Sequence, residues 1–240
     1  MGFYQELSKY YDDIFPPEKG QVDFIAASIK SEGRVLDVAC GSGGYSAELY
    51  KKGLKVYACD LDDGMVQAAR KRFQEGQMGV SVEKVDMTEL SKIYSEKFDG
   101  VFCIGNSIVH LGNIEQIKKA ASEMRGLLVV GGSLILQTMN FDRVRKYNIK
   151  ELPEIKALDG QITFKRYYSN LENGKIAFDT ELQVQEKESM KNRVELLPLY
   201  KKELSDILIN LGFKDICFYG DFNNGSYKDD SYVLVVKAKK

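Results

Sequence analysis

Val35-Leu36-Asp37-Val38-Ala39-Cys40-Gly41-Ser42-Gly43-Gly44 is the stretch on which the fold turns. It opens inside a short β-rich run, Arg34 to Ala39, and closes in a cluster of glycines. A glycine-rich turn leaving a buried strand lets a ligand approach the backbone closely, because no Cβ stands in the way and positive φ costs nothing. Here that contact would fall on Ala39, Cys40, Gly41 and Gly43. The acid inside the strand end, Asp37, selects the ligand. A carboxylate just before the loop repels a pyrophosphate but can receive a cationic amino group, directly or through water. The third glycine of a dinucleotide loop is also missing, since Ser46 occupies its place.

Outward from this loop, two periodicities alternate. Lys55 to Leu61, Val80 to Met87, Phe98 to Gly105 and Ser133 to Met139 read as further strands. Gly44 to Lys52, Asp63 to Gln74 and Ile114 to Val130 read as helices, the last stopping at Gly131-Gly132. Such alternation implies βαβ units and a right-handed, mainly parallel sheet. The chain then changes character. Ile162 to Ser169 and Lys175 to Glu186 alternate around Asn173-Gly174, a strong hairpin signal. A helix over Lys201 to Leu211 stops at Gly212, and strands over Asp215 to Phe222 and Ser231 to Lys237 finish the chain. The expected architecture is therefore α/β, a doubly wound, seven-stranded, mainly parallel sheet with a terminal antiparallel hairpin and an inserted antiparallel β cap. Residues 1–140 and 198–240 would form the Rossmann-like core, and 141–197 the cap over the acceptor site.

Two further acids join Asp37. Asp60 ends the second strand, where a carboxylate can accept both ribose hydroxyls, and Leu61 follows it. Asp86 ends the third, and Met87 supplies an apolar flank where an adenine could lie. Met65, on the helix between them, covers the adenine or belongs to the core. Three acids at three successive strand ends point to one adenosine-containing cation.

The stretch Val35 to Gly44, then Asp60-Leu61, then Asp86-Met87, resembles the cofactor motifs of class I S-adenosylmethionine-dependent methyltransferases. Val101 to Leu111, Asn140-Phe141-Asp142 and Gly220-Asp221-Phe222 are similar to segments of the glycine and sarcosine N-methyltransferases within that class. The resemblance implies S-adenosylmethionine as cofactor and S-adenosylhomocysteine as product. It implies ribose recognition by Asp60, adenine recognition by Asp86 and Met87, and contacts from Ile104, Gly105, Asn106 and Ser107 to the methionine end. Tyr11 looks like the N-terminal aromatic that closes over the cofactor. Enzymes of this group that act on glycine carry an arginine just before the Asn-aromatic-Asp triplet, whereas this chain has Met139, which argues against glycine itself.

The acceptor is expected against Asn106 and Ser107, beneath the cap, with Phe141, Arg166 and Tyr168 as further substrate-binding candidates. His110, the sole histidine, is the candidate general base. The alternative is that it satisfies a backbone carbonyl. Ile104-Gly105-Asn106-Ser107 lacks the Pro-Pro-aromatic sequence of enzymes that methylate nucleic-acid amines, and no Pro-Cys is present for pyrimidine C5 chemistry. Composition agrees. The 34 basic and 35 acidic residues are scattered, which disfavours nucleic acid and anionic membranes as partners. No apolar run is long enough for a bilayer, and Met1 to Tyr10 is not a leader, so a cytoplasmic protein is expected. Four unpaired cysteines suggest reduced core residues and no metal site. The expected partner is a small-molecule N- or O-nucleophile, with homo-oligomerisation left open. Two other classes compete, a nicotinamide-dependent oxidoreductase, which shares Asp60, and a catalytically silent S-adenosylmethionine-binding module.

Overall fold

A computed structural model describes residues 6–185 and 189–240. Its strands, in chain order, are β1 (Arg34–Val38), β2 (Lys55–Asp60), β3 (Ser81–Lys84), β4 (Phe98–Cys103), β5 (Leu128–Met139), β6 (Glu151–Ala157), β7 (Ile162–Asn170), β8 (Ile176–Val184), β9 (Met190–Leu196), β10 (Lys214–Tyr219) and β11 (Val233–Lys239). They form two sheets. The larger has the order β3-β2-β1-β4-β5-β11-β10, with β1 to β5 mutually parallel and β11 antiparallel to both neighbours. The smaller is the antiparallel series β6-β7-β8-β9.

The helices are α1 (Tyr11–Ile14), α2 (Lys19–Ala27), α3 (Gly44–Lys51), α4 (Asp63–Glu75), α5 (Ile114–Leu127), α6 (Phe141–Lys146) and α7 (Lys201–Asn210). Consecutive residues of β1 explain their arrangement. Val35 belongs to the core cluster that includes Val22 and Ile25 of α2 and Leu49 of α3, while Leu36 belongs to the one that includes Ile117 and Met124 of α5 and Leu204 and Leu208 of α7. Side chains alternate across a strand, so a strand with apolar residues on both faces needs helices on both. The second sheet is anchored at both ends of its outer packing. Tyr168, Ile176 and Leu196 join the main core, while Ile162, Phe164 and Leu182 meet Leu7 and Ile14 of the N-terminal segment.

Several boundaries differ from the sequence reading. β3 stops at Lys84, its last pairing with Asp60, so Asp86 lies two residues beyond the strand. α5 ends at Leu127, before Gly131-Gly132; those glycines instead lie in β5, where the register to β4 shifts and Gly131 adopts φ +77°. A Cβ at Gly132 would meet the Val129 carbonyl oxygen at 2.9 Å, which explains the glycine. The Asn173-Gly174 turn does join two antiparallel strands, although the connection spans 171–175. The expected end of its second arm, Glu186, lies outside the described residues, as do Met1 to Gln5 of the N-terminal stretch. Unanticipated were α2, α6 and the edge strands β6 and β9. Pro153 in β6 is tolerated because an edge strand has one unpaired side.

Candidate active site

The loop after β1 is shaped by left-handed backbone. Ala39, Gly41 and Gly43 have φ of +61°, +56° and +79°. A Cβ at Gly41 would stand 3.2 Å from the Tyr11 ring, so the N-terminal aromatic lies directly on the loop. Beside it, Asp12 accepts hydrogen bonds from Ser42 Oγ at 2.6 Å and from the Arg72 guanidinium, whose Nε also donates to the Ser42 carbonyl at 2.9 Å. The strap of residues around Tyr11 is thus tied to both the loop and α4.

Two carboxylates organise the loop from below. Asp60 accepts from Gly41 N at 2.8 Å on one oxygen and from Asp62 N at 2.9 Å on the other. Burial raises its pKa, and these amide bonds oppose the rise. Asp37 is 2% exposed and accepts from Ser46 Oγ at 2.7 Å. Burial pushes Asp37 up to about 7, against the Ser46 bond, with the Asp60 charge adding to the rise. Burial, then the charge of Asp60, also raises the Tyr11 phenol.

The loop after β4 is held differently. Gly105 and Asn106 are left-handed, at φ +75° and +67°. Gln137 Oε1 accepts from Gly105 N at 2.7 Å, and Asn106 Oδ1 accepts from Met139 N at 2.9 Å, so the end of β5 locks both residues. Ser107 Oγ donates to the Ile104 carbonyl at 3.0 Å.

These loops open into one cavity of about 810 Å³. Its wall includes Tyr11, Asp37, Ala39, Cys40 and Gly41, then Asp60, Leu61, Met65, Asp86 and Met87. Ile104, Gly105, Asn106 and Ser107 follow, with His110 beyond them, and Arg166 and Tyr168 face in from the second sheet. Two expected residues do not reach the wall. Gly43 faces away, where a Cβ would lie 2.5 Å from Phe73 Cζ, so its smallness serves the packing of α4 on the loop. Phe141, 1% exposed, is a core residue behind Tyr168, with ring centroids 6.3 Å apart. Its triplet is scaffold. Asn140 caps α6 through Arg143 N and donates to the Asp229 and Ser231 carbonyls, while Asp142 accepts from Lys201 N at the start of α7.

His110 carries exposed surface, yet burial lowers its pKa. Its exposed surface belongs to the cavity wall. Gln137, Thr180, Asn192 and Tyr232 also line the wall and were not anticipated. Their signal was weak, because each is a single polar residue in a strand or loop whose partner lies far along the chain.

The wall has a pronounced charge bias. Asp12, Glu18, Asp37, Asp60, Asp62 and Asp86 contribute carboxylates, whereas Arg166 is the single Lys or Arg side chain among its described residues. Such a wall disfavours a pyrophosphate and suits a cation. Carboxylates with remaining lone pairs, a loop with no Cβ at Gly41 and apolar flanks at Leu61, Met65 and Met87 fit a nucleoside bearing a positive tail. Among the described residues, no three His, Cys, Asp or Glu side chains are grouped to hold a metal, and no helix is long and apolar enough to cross a membrane.

Comparison with known proteins agrees with this chemistry. A family described as a methyltransferase domain matches residues 35–132. The glycine/sarcosine N-methyltransferase of Aphanothece halophytica is 28% identical over 223 residues, covering 91% of this chain and 81% of that protein. An S-adenosylmethionine-dependent methyltransferase from Clostridium acetobutylicum superposes with a TM-score of 0.81 at 17% identity, over 99% of each chain. The CcbJ methyltransferase of Streptomyces caelestis gives a TM-score of 0.83 at 18% identity, over 98% of this chain and 97% of that one.

Proposed function

The chain is a class I S-adenosylmethionine-dependent methyltransferase, and on that premise we propose that it methylates the nitrogen of a small-molecule amine. The observation that carries this reading is one cavity, acidic along the carboxyl ends of the core strands and aromatic along the second sheet. The similarity to glycine/sarcosine N-methyltransferases supports nitrogen over oxygen.

S-adenosylmethionine supplies a methyl group already activated on a sulfonium. The protein's tasks are then to bind, align and exclude water. Asp60 still has lone pairs free after its bonds from the Gly41, Leu61 and Asp62 amides, and these accept the ribose hydroxyls. Asp86 and Met87 receive the adenine, with Leu61 and Met65 alongside. Asp37 ionises against the amino group, and the backbone of Ile104 to Ser107 flanks the same end. Tyr11 closes the loop, held by the bonds from Ser42 and Arg72 to Asp12. Residues 141–197 act as the cap on a core of 1–140 and 198–240, and the acceptor lies between Asn106 and the cap residues Arg166 and Tyr168. Burial lowers the pKa of His110 and so favours its neutral imidazole, the form that accepts a proton beside the acceptor amine. Alignment supplies most of the acceleration.

The deciding experiment is turnover of methyl-labelled S-adenosylmethionine with matched amines, alcohols and phenols. Label appearing on amines alone is the expected result. Label on oxygen acceptors alone, or no transfer to any class while S-adenosylhomocysteine binds normally, would overturn the reading.

A further inference from the structure

The pairing register of the second sheet lines up residues that sequence separates. Leu152 pairs Arg166, Arg166 pairs Thr180, and Thr180 pairs Asn192, so one row crosses all four strands. All four of these residues line the cavity. Residues two positions along a strand share its face. On one side of the row stands Ile155 opposite Phe164, and on the other Tyr168 opposite Phe178. Beyond Leu152 at its β6 end, the row is a polar stripe of Arg166, Thr180 and Asn192 between two apolar, aromatic rows.

Arg166 is the charged member of that stripe, and its hydrogen bonding is incomplete. Nη2 donates to the Pro153 carbonyl at 2.8 Å, while Nε is buried with no partner. The Tyr168 hydroxyl is likewise buried without a partner, while the Tyr232 phenol is close enough to accept a hydrogen bond from the guanidinium. Burial lowers the Arg166 pKa, and the groups acting on it are these two phenols rather than any carboxylate. The six acids of the wall sit on the core and the N-terminal segment, none on the second sheet. A desolvated guanidinium with an open donor and no counter-ion is costly unless an anion arrives with the ligand. Its planar fork matches a carboxylate, which two or more of these donors can share.

Resting on the reading of a small amine acceptor, we propose that Arg166, with the Tyr168 and Tyr232 hydroxyls, receives a carboxylate on that acceptor, while the flanking aromatic rows hold an apolar body. The acceptor class is thus an amine bearing both a carboxylate and an apolar or aromatic side group. Glycine would leave the Ile155–Phe164 and Tyr168–Phe178 rows without a partner. The cation enters from β7, and the end of β5 contributes the thioether of Met139 to the wall instead.

Binding is tested apart from methyl transfer. Calorimetry on the protein saturated with S-adenosylhomocysteine compares 3-phenylpropanoate, 3-phenylpropanol and acetate. The expected result is that 3-phenylpropanoate binds at least about tenfold more tightly than either. Arg166→Met should remove that advantage without changing 3-phenylpropanol or S-adenosylhomocysteine affinity, and Arg166→Lys should keep part of it. Unchanged S-adenosylhomocysteine affinity doubles as the folding control. Equal affinity for acid and alcohol, or an advantage that survives Arg166→Met, overturns the proposal. Turnover with phenylalanine and phenethylamine separates the two readings. Equal methylation of both, insensitive to Arg166→Met, removes the carboxylate site and leaves amine methylation standing. Arg166-dependent binding of 3-phenylpropanoate with no amine methylated leaves the carboxylate site standing and removes the amine reading.

Discussion

Ser46→Ala tests the electrostatic logic of the loop, because Ser46 gives Asp37 a 2.7 Å hydrogen bond inside a site where the carboxylate is 2% exposed. A hydrogen bond to a charged group contributes about 1.5–3 kcal/mol. At about 1.4 kcal/mol per pH unit, losing it should raise the Asp37 pKa by roughly one to two units. The starting value is about 7, so the wild-type carboxyl is half protonated at neutral pH and the variant almost fully so. A cationic amino group facing Asp37 selects the carboxylate, and binding must expel the proton. Calorimetry of S-adenosylhomocysteine at pH 7, in buffers of different ionisation enthalpy, should report roughly half a proton released by wild type and nearly one by Ser46→Ala. The same shift leaves only a few per cent of the variant ionised, so its affinity should fall by about tenfold at pH 7. Stability moves in step. A folded pKa raised above the unfolded value means that the native state holds the extra proton, so Asp37's contribution is full at acid pH and is lost as pH rises towards about 7. In the variant the loss should begin at the same acid pH, set by the unfolded chain, but continue to higher pH and be larger in total. Equal proton release in the two proteins, or none in either, would refute the argument that Asp37 meets the cation.

Gly43→Ala should destabilise the fold by about 1–3 kcal/mol, since the new Cβ meets Phe73 at 2.5 Å in a left-handed position, yet it should spare S-adenosylhomocysteine affinity in the protein that remains folded. Chemical denaturation and calorimetry together check this, and an affinity loss larger than the stability loss would return Gly43 to the binding wall. His110→Gln should lower turnover only modestly and leave the pH profile's limb in place. A loss of about a hundredfold, with that limb gone, would make the imidazole the base and not a neighbour of the acceptor.

What was legible in this sequence was local. The glycine loop after a buried strand, the strand-end Asp60 and the alternation of strands with helices are each written in consecutive residues, and the seven-stranded sheet follows from them. The end of β3 is set by its partner, Asp60 pairing Lys84, and this is why Asp86 falls in a loop and not on the strand. Gly41 and Gly43 look alike in sequence, but Tyr11 comes to one and Phe73 to the other from distant segments. Phe141 looked like a site residue and is core, because its neighbours Asn140 and Asp142 spend their polar atoms on the loop at 229–231 and on the start of α7. The stripe of Arg166, Thr180 and Asn192 was least legible. It exists only through the register of three strands, and a slip of one residue would turn Arg166 out of the cavity. Ser46 joins both levels. Its place in the loop denies the third glycine a pyrophosphate would want, and its hydroxyl, aimed at Asp37, tempers the carboxylate that a cation requires. The same substitution that removes one ligand class therefore equips the site for another.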